Sequence, residues 1–222
     1  MAGGWYKPSN QPPATRMFIM IDERLYEEFR YIGRDILLAG LTSSHGGNMS
    51  VRVGDRIIIK RRGAQFGQLK PTDFVETGLY TKDSGIVRAS TELIVHRAIY
   101  QKTSALAIIH AHPRTAIVLS LSRDEIIPID NEGSYLLRKI PVVSVEMASG
   151  STEMANKVSD ALQGYKIIMQ RGHGCFAIGQ TLEEAYHWVS TLEEVSDIIL
   201  EHKLLGEPLI EYRKHSEGYK TW

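Results

Sequence analysis

Residues 104–113, SALAIIHAHP, constrain this chain most: an apolar run that ends in two histidines and a proline. Such a run reads as a buried strand, and a buried strand needs cover on both faces of its sheet. Successive strand side chains alternate between faces, so His110 and His112 project together. An HxH pair is either half of a metal site or a core strand with satisfied histidines. A third histidine, His173, stands between two glycines in KIIMQRGHGCFAIG, where backbone and ligand can approach closely. Three neutral imidazoles with an open fourth position describe a catalytic zinc better than a structural one.

At 222 residues the chain suits one layered domain with a sizeable core. Acidic and basic residues balance at 26 each, so no global field draws it to nucleic acid or to an anionic membrane. Any phosphate it binds must be held locally. The single cysteine, Cys175, excludes an internal disulfide framework and fits a reducing, cytoplasmic compartment. No apolar run approaches the length of a membrane span, and residues 1–16 carry no secretory signal. These first residues are expected to be a flexible tail, with one domain over 17–210 and a C-terminal tail over 211–222.

Asp22 is placed to cap a helix in which Leu25, Phe29, Ile32, Ile36 and Leu37 share one face, with Gly40 as its stop. NMSVRV and RIIIK flank a Gly-Asp turn and predict a hairpin. Short strands broken by Pro71, Gly78 and Gly85 are expected next, then a helix in STELIVHRAIYQK with Ser90 as cap and Glu92 in its first turn. The second half alternates: a strand through His110, a helix opened by Pro113, a strand in KIPVVSVE, a helix in STEMANKVSDAL, and strands KIIMQ and CFAIG on either side of Gly-His-Gly. A long amphipathic helix follows, begun by Thr181 and Glu184 at capping-box spacing. The fold class is therefore α/β, with a mostly antiparallel or mixed sheet flanked by helices on its faces.

Four segments, GGNMSVR (46–52), ASTELIVHRAIY (89–100), IIHAHPRTAIVLS (108–120) and QRGHGCFAIGQTLEEA (170–185), together resemble the class II aldolase and adducin head-domain family. The resemblance is colinear from about residue 22 to about residue 205. It implies a three-layer fold, assembled as a cyclic homotetramer with active sites between subunits. It implies that His110, His112 and His173 bind Zn2+ or another divalent ion, one per subunit, and that Glu92 is the catalytic acid/base. It further implies a phosphate pocket built from Gly47, Asn48, Ser90 and Thr91. The implied reaction is reversible cleavage of a small ketose 1-phosphate, fuculose 1-phosphate-like, to dihydroxyacetone phosphate and an aldehyde through an enediolate. A bound zinc would hold that charge as a Lewis acid, with no Schiff-base lysine.

The chain departs from the family where the aldolases usually carry Thr-Gly after the second hairpin strand. Here KRRG places Arg62 before Gly63, and an arginine fork suits phosphate or a carboxylate. Lys60 and Arg61 read as exposed basic residues at a strand end. A proton donor between the HxH strand and His173 matches Glu132 or, slightly later, Tyr135, and a C-terminal donor matches Tyr219. Glu132 keeps a dehydratase of the methylthioribulose-phosphate type open, and the same metal and pocket also suit a sugar-phosphate epimerase. The adducin head domain keeps this fold as a non-enzymatic interaction module. His96 reads as a packed helix residue, and Cys175 and Trp188 as core.

Overall fold

The computed structural model describes residues 21–146 and 149–213, so the tail expected at 1–16 and Tyr219 lie outside the described residues. Its elements run α1 (Glu23–Leu38), β1 (Asn48–Val53), β2 (Arg56–Lys60), β3 (Phe74–Gly78), α2 (Leu93–Lys102), β4 (Ala107–Ala111) and α3 (Arg114–Ser120). There follow β5 (Glu125–Ile126), α4 (Asn131–Leu136), β6 (Ile140–Val143), α5 (Thr152–Ala161), β7 (Ile167–Gln170), β8 (Gly174–Gly179) and α6 (Leu182–Leu205). One eight-stranded sheet has the order β3-β2-β1-β4-β8-β7-β6-β5. Every neighbouring pair is antiparallel except β6 and β7.

β4 sits in the middle of the sheet with all five residues buried. Alternation sends Ile108 to the face shared with Ile57, Ile59, Ile168 and Phe176, which α2 and α5 cover. Ile109 goes to the other face with Met169 and Ala177, where α1, α3 and α6 contribute Phe29, Ala116, Val189 and Leu192. Three layers result, because each half-apolar helix needs a sheet face to bury its stripe. Among the described residues no helix is long and apolar enough to cross a membrane.

Local chemistry sets the element ends. The Asp22 carboxylate accepts from the Leu25 N–H at 3.2 Å, and Gly40 follows α1 with φ +70°. The Thr181 hydroxyl accepts from the Glu184 N–H at 3.1 Å. Two caps come from far away in sequence: Glu28 accepts from the Leu182 N–H at the start of α6, and Glu193 accepts from the Thr115 and Ala116 N–H groups at the start of α3.

Two expectations need correction. The region after the hairpin holds one strand, β3, and three short 3-10 turns, Phe66–Gln68, Pro71–Asp73 and Ser84–Val87. Pro71 and Gly85 break the pairing there, and the Asp83 carboxylate stitches the turns by accepting from the Gly78 and Gly85 N–H groups and the Thr77 hydroxyl. Ser90 does not cap α2 either. Its hydroxyl accepts from the Glu92 N–H at 3.3 Å, a tight local turn that competes with capping, and the helix begins only at Leu93. Glu92 occupies the cap position with its carboxylate unspent on the helix.

Candidate metal centre and its cavity

The start of β1, the ends of β2, β4 and β7 and the start of β8 gather at one end of the sheet. Asn48 of β1 lies directly across from His110 of β4, and Phe176 of β8 flanks His110 on its other side. The His110 ring stacks on Phe176 with centroids 4.2 Å apart and an interplanar angle of 18°. Its Nδ1–H donates to the Cys175 carbonyl at 2.8 Å, which leaves the lone pair on Nε2. His173 is held in the same manner, with Nδ1 donating to the Gln170 side-chain oxygen at 3.0 Å. His112, one residue beyond β4 and on the same side as His110, brings its Nε2 to 3.0 Å from His110 Nε2. One ring nitrogen from each of the three histidines lies within 4.8 Å of the others.

Two glycines make room for this convergence. Gly47 has φ +69°, and a Cβ there would stand 2.5 Å from the His110 carbonyl oxygen. A Cβ on Gly174 would strike the Ala111 carbonyl and lie 2.6 Å from His112 Cδ2.

Glu92 completes the cluster at 3 % exposure. Its Oε2 lies 3.2 Å from His110 Nε2, and its Oε1 lies 4.0 Å from His173 Nε2. Burial raises its carboxyl above the usual carboxylate range, against the Asn48 hydrogen bond and the nearby histidines, which pull it down. Burial also pushes His110 and His112 down to about 3, so both rings are neutral near pH 7. Neutral lone pairs and a carboxylate facing one point repel unless a cation stands between them. The donor set therefore fits a borderline divalent ion such as zinc, held by His110, His112 and His173 with Glu92 beside it.

A cavity of about 180 Å³ opens over this cluster. Of the residues expected in the site, Glu92, the three histidines, Gly47, Asn48, Arg62, Gly63, Ser90 and Thr91 all line it. Asn48 does more than the sequence suggests: its Nδ2 donates to Glu92 at 2.8 Å, while its buried Oδ1 has no partner. Glu132 is exposed on α4 and is not among the lining residues. Topology gives the reason, since α4 follows β5, the edge strand four positions away from β4 in the sheet. Tyr135 lies there too, on a broad open groove of about 1110 Å³ with Lys139 and Lys166 but no convergent catalytic set.

Sequence reading missed His45, Lys60, Arg61 and Ser149 as lining residues and Gln170 as the partner of His173. Gln170 is three residues before His173, a spacing that a tight turn between two strands could have flagged. Lys60 is a direct correction: it is 2 % exposed where an exposed basic residue was expected. Its ammonium turns back to donate to the Ala64 carbonyl at 2.8 Å, 5.0 Å from the Phe66 ring centre. His96 is fully buried with Nδ1 2.6 Å from the Ser50 hydroxyl, as a packed helix histidine.

Comparison with known proteins agrees with this architecture. The model of the class II aldolase and adducin N-terminal domain matches residues 27–200. An L-fuculose phosphate aldolase of Methanocaldococcus jannaschii is 31% identical over 188 residues, covering 83% of this chain and 94% of that protein. A 5-methylthioribulose-1-phosphate/5-deoxyribulose-1-phosphate aldolase of Rhodospirillum rubrum is 26% identical over 199 residues, covering 85% of this chain and 88% of that one. The crystal structure of L-fuculose-1-phosphate aldolase from Thermus thermophilus superposes with a TM-score of 0.79 at 38% identity, covering 84% of this chain and 99% of that one. Fold, motif order and histidine geometry converge, and the chain belongs to the class II aldolase and adducin N-terminal domain family.

Proposed function

We propose that this protein is a zinc-dependent aldolase that reversibly cleaves a small ketose 1-phosphate to dihydroxyacetone phosphate and an aldehyde. The observation that carries the reading is the meeting of three imidazole nitrogens and a buried carboxylate in a cavity otherwise walled by donors and cations. Zinc, when bound, supplies Lewis-acid stabilisation of the charge that develops on the substrate's carbonyl oxygen. Glu92 moves the proton at the carbon next to that carbonyl, and its raised carboxyl suits an acid/base working near neutrality. Asn48 fixes one carboxylate oxygen and leaves its own Oδ1 to accept from a substrate hydroxyl. Ser90, Thr91, Gly47, Arg62 and Gly63 receive the phosphate, with hydroxyl, backbone N–H and guanidinium donors on one wall. In a cyclic tetramer, Tyr219 or Glu132 of a neighbouring subunit gives the proton to the departing aldehyde's oxygen. The cytoplasm is the compartment assigned to this reaction.

The test is to incubate the zinc-loaded protein with fuculose 1-phosphate, ribulose 5-phosphate and methylthioribulose 1-phosphate and to weigh the products. Formation of dihydroxyacetone phosphate is expected, slowed at least about a hundredfold in Glu92→Gln with metal content unchanged. Epimerised or dehydrated product without carbon–carbon cleavage, or full activity in Glu92→Gln, contradicts the reading.

A further inference from the structure

The side of α2 that covers the sheet carries a row of polar side chains inside an otherwise apolar layer. Leu93, Val95 and Ile99 join the core there with Ile108 and Phe176, yet His96 and Tyr100 are buried among them at 0 % and 1 % exposure. Glu92, His96 and Tyr100 recur at every fourth residue and so share one side of the helix. Each of them meets β1. Asn48 donates to Glu92 at 2.8 Å, the Ser50 hydroxyl lies 2.6 Å from His96 Nδ1 and 2.8 Å from the Tyr100 hydroxyl, and Arg52 donates to the Tyr100 carbonyl at 3.1 Å. The Tyr100 hydroxyl also donates to the Ser50 carbonyl at 2.9 Å. The two spacings match, since four helical residues advance about 6 Å and two strand residues about 6.6 Å. Asn48, Ser50 and Arg52 are thus successive rungs for Glu92, His96 and Tyr100.

Only one arrangement of protons gives each contact at Ser50 its own hydrogen. His96 Nδ1–H donates to the Ser50 hydroxyl, that hydroxyl donates to Tyr100, and Tyr100 donates to the Ser50 carbonyl. His96 Nε2 is then a buried lone pair with no partner among the described residues. A leucine would fill the space without that cost, so packing does not account for an imidazole here. Apolar contact is non-directional and lets a helix slip on its sheet, whereas a buried polar row is satisfied in one register. Resting on the aldolase reading above, we propose that His96, with Ser50 and Tyr100, is a positioning residue for the reaction. The row sets the register of α2 on β1 and so holds the Glu92 carboxylate against the three histidines, one helical turn away from His96. Displacing a reacting group by about 1 Å costs on the order of a hundredfold in rate, so a small slip of α2 is enough to matter.

The test compares zinc-loaded, full-length wild type with its H96L, H96N, E92Q and H96L/E92Q variants, by kcat and KM for the sugar phosphate that wild type cleaves, by zinc content and by crystal structure. H96L is expected to lose at least about tenfold in kcat with KM and zinc content unchanged. H96N, whose amide N–H replaces Nδ1–H, should recover part of that loss. In the E92Q background H96L should cost nothing further, because its effect travels through Glu92. Should H96L fail to fold, Y100F serves in its place. Wild-type kcat in folded H96L or Y100F, or an equal further loss in the E92Q background, overturns the positioning role and leaves the aldolase reading standing. If wild type cleaves no sugar phosphate, that reading falls and the crystal structures decide the register: Glu92 out of reach of Asn48 in H96L upholds it, and an unmoved Glu92 overturns it.

Discussion

Side chains that all present lone pairs to one point are unstable together without a positive charge among them. The acceptors behind the rings enforce that arrangement here, since the Cys175 carbonyl and the Gln170 amide oxygen each claim one N–H of a histidine. In the metal-free protein the consequence shows in pH. His96, His110 and His112 have folded-state values near 3 because of burial, whereas in the unfolded chain each takes up a proton near 6.5. Between these values the unfolded state binds more protons, so stability falls as pH drops below about 6.5, by up to about 1.4 kcal/mol per pH unit for each histidine. Melting curves of metal-free protein should therefore move down between pH 7 and pH 5, ahead of ordinary carboxylate titration. A constant melting temperature over that range would contradict the burial of neutral rings. Which residues meet was legible for the histidines, because strand alternation and flanking glycines announce a close approach. Lys60 was illegible: a lysine at a strand end looks exposed in one dimension, and only the turn that carries Ala64 and Phe66 back over it makes it interior.

At the scale of elements, the position of His112 depends on how β4 hands over to α3. His112 donates its backbone N–H to the Leu41 carbonyl at 2.8 Å, and Pro113 then opens a helix whose first free N–H groups both point to Glu193 of α6. A carboxylate that caps two such groups at 2.9 and 3.0 Å also complements the helix dipole. Glu193→Ala is expected to cost about 1–2 kcal/mol, read as a lower urea midpoint with an unchanged slope. No shift in the midpoint would mean that solvent satisfies the start of α3. Long or strongly signalled elements were legible from sequence: α1 through its apolar stripe and caps, the β1–β2 hairpin through its Gly-Asp turn, and α6 through Thr181 and Glu184. β5 and α4 were not, because two and six residues are too few to display a period. The true start of α2 was hidden by a serine whose hydroxyl serves a local turn instead of the helix.

For the whole molecule, the sheet does the gathering. Antiparallel neighbours bring strand starts and strand ends to one edge, so β1, β4 and β8 deliver Asn48, His110 and the His173 turn side by side, while α2 carries Glu92 in from the covering layer. The same topology sends Glu132 past the far edge strand of the sheet, so its proposed service as a donor requires the neighbouring subunit of a ring. The three-layer class could be read from alternating strand and helix patterns, whereas strand order and the single parallel pair could not, since adjacency is decided by long-range packing. The central claim, that three imidazoles from two distant segments share one ion, is tested most directly by metal analysis of purified, zinc-supplemented protein. Wild type should hold about one zinc per chain, and His110→Ala, His112→Ala and His173→Ala should each lose most of it while remaining folded. Zinc content unchanged in any of the three, or no zinc retained by wild type, would contradict it.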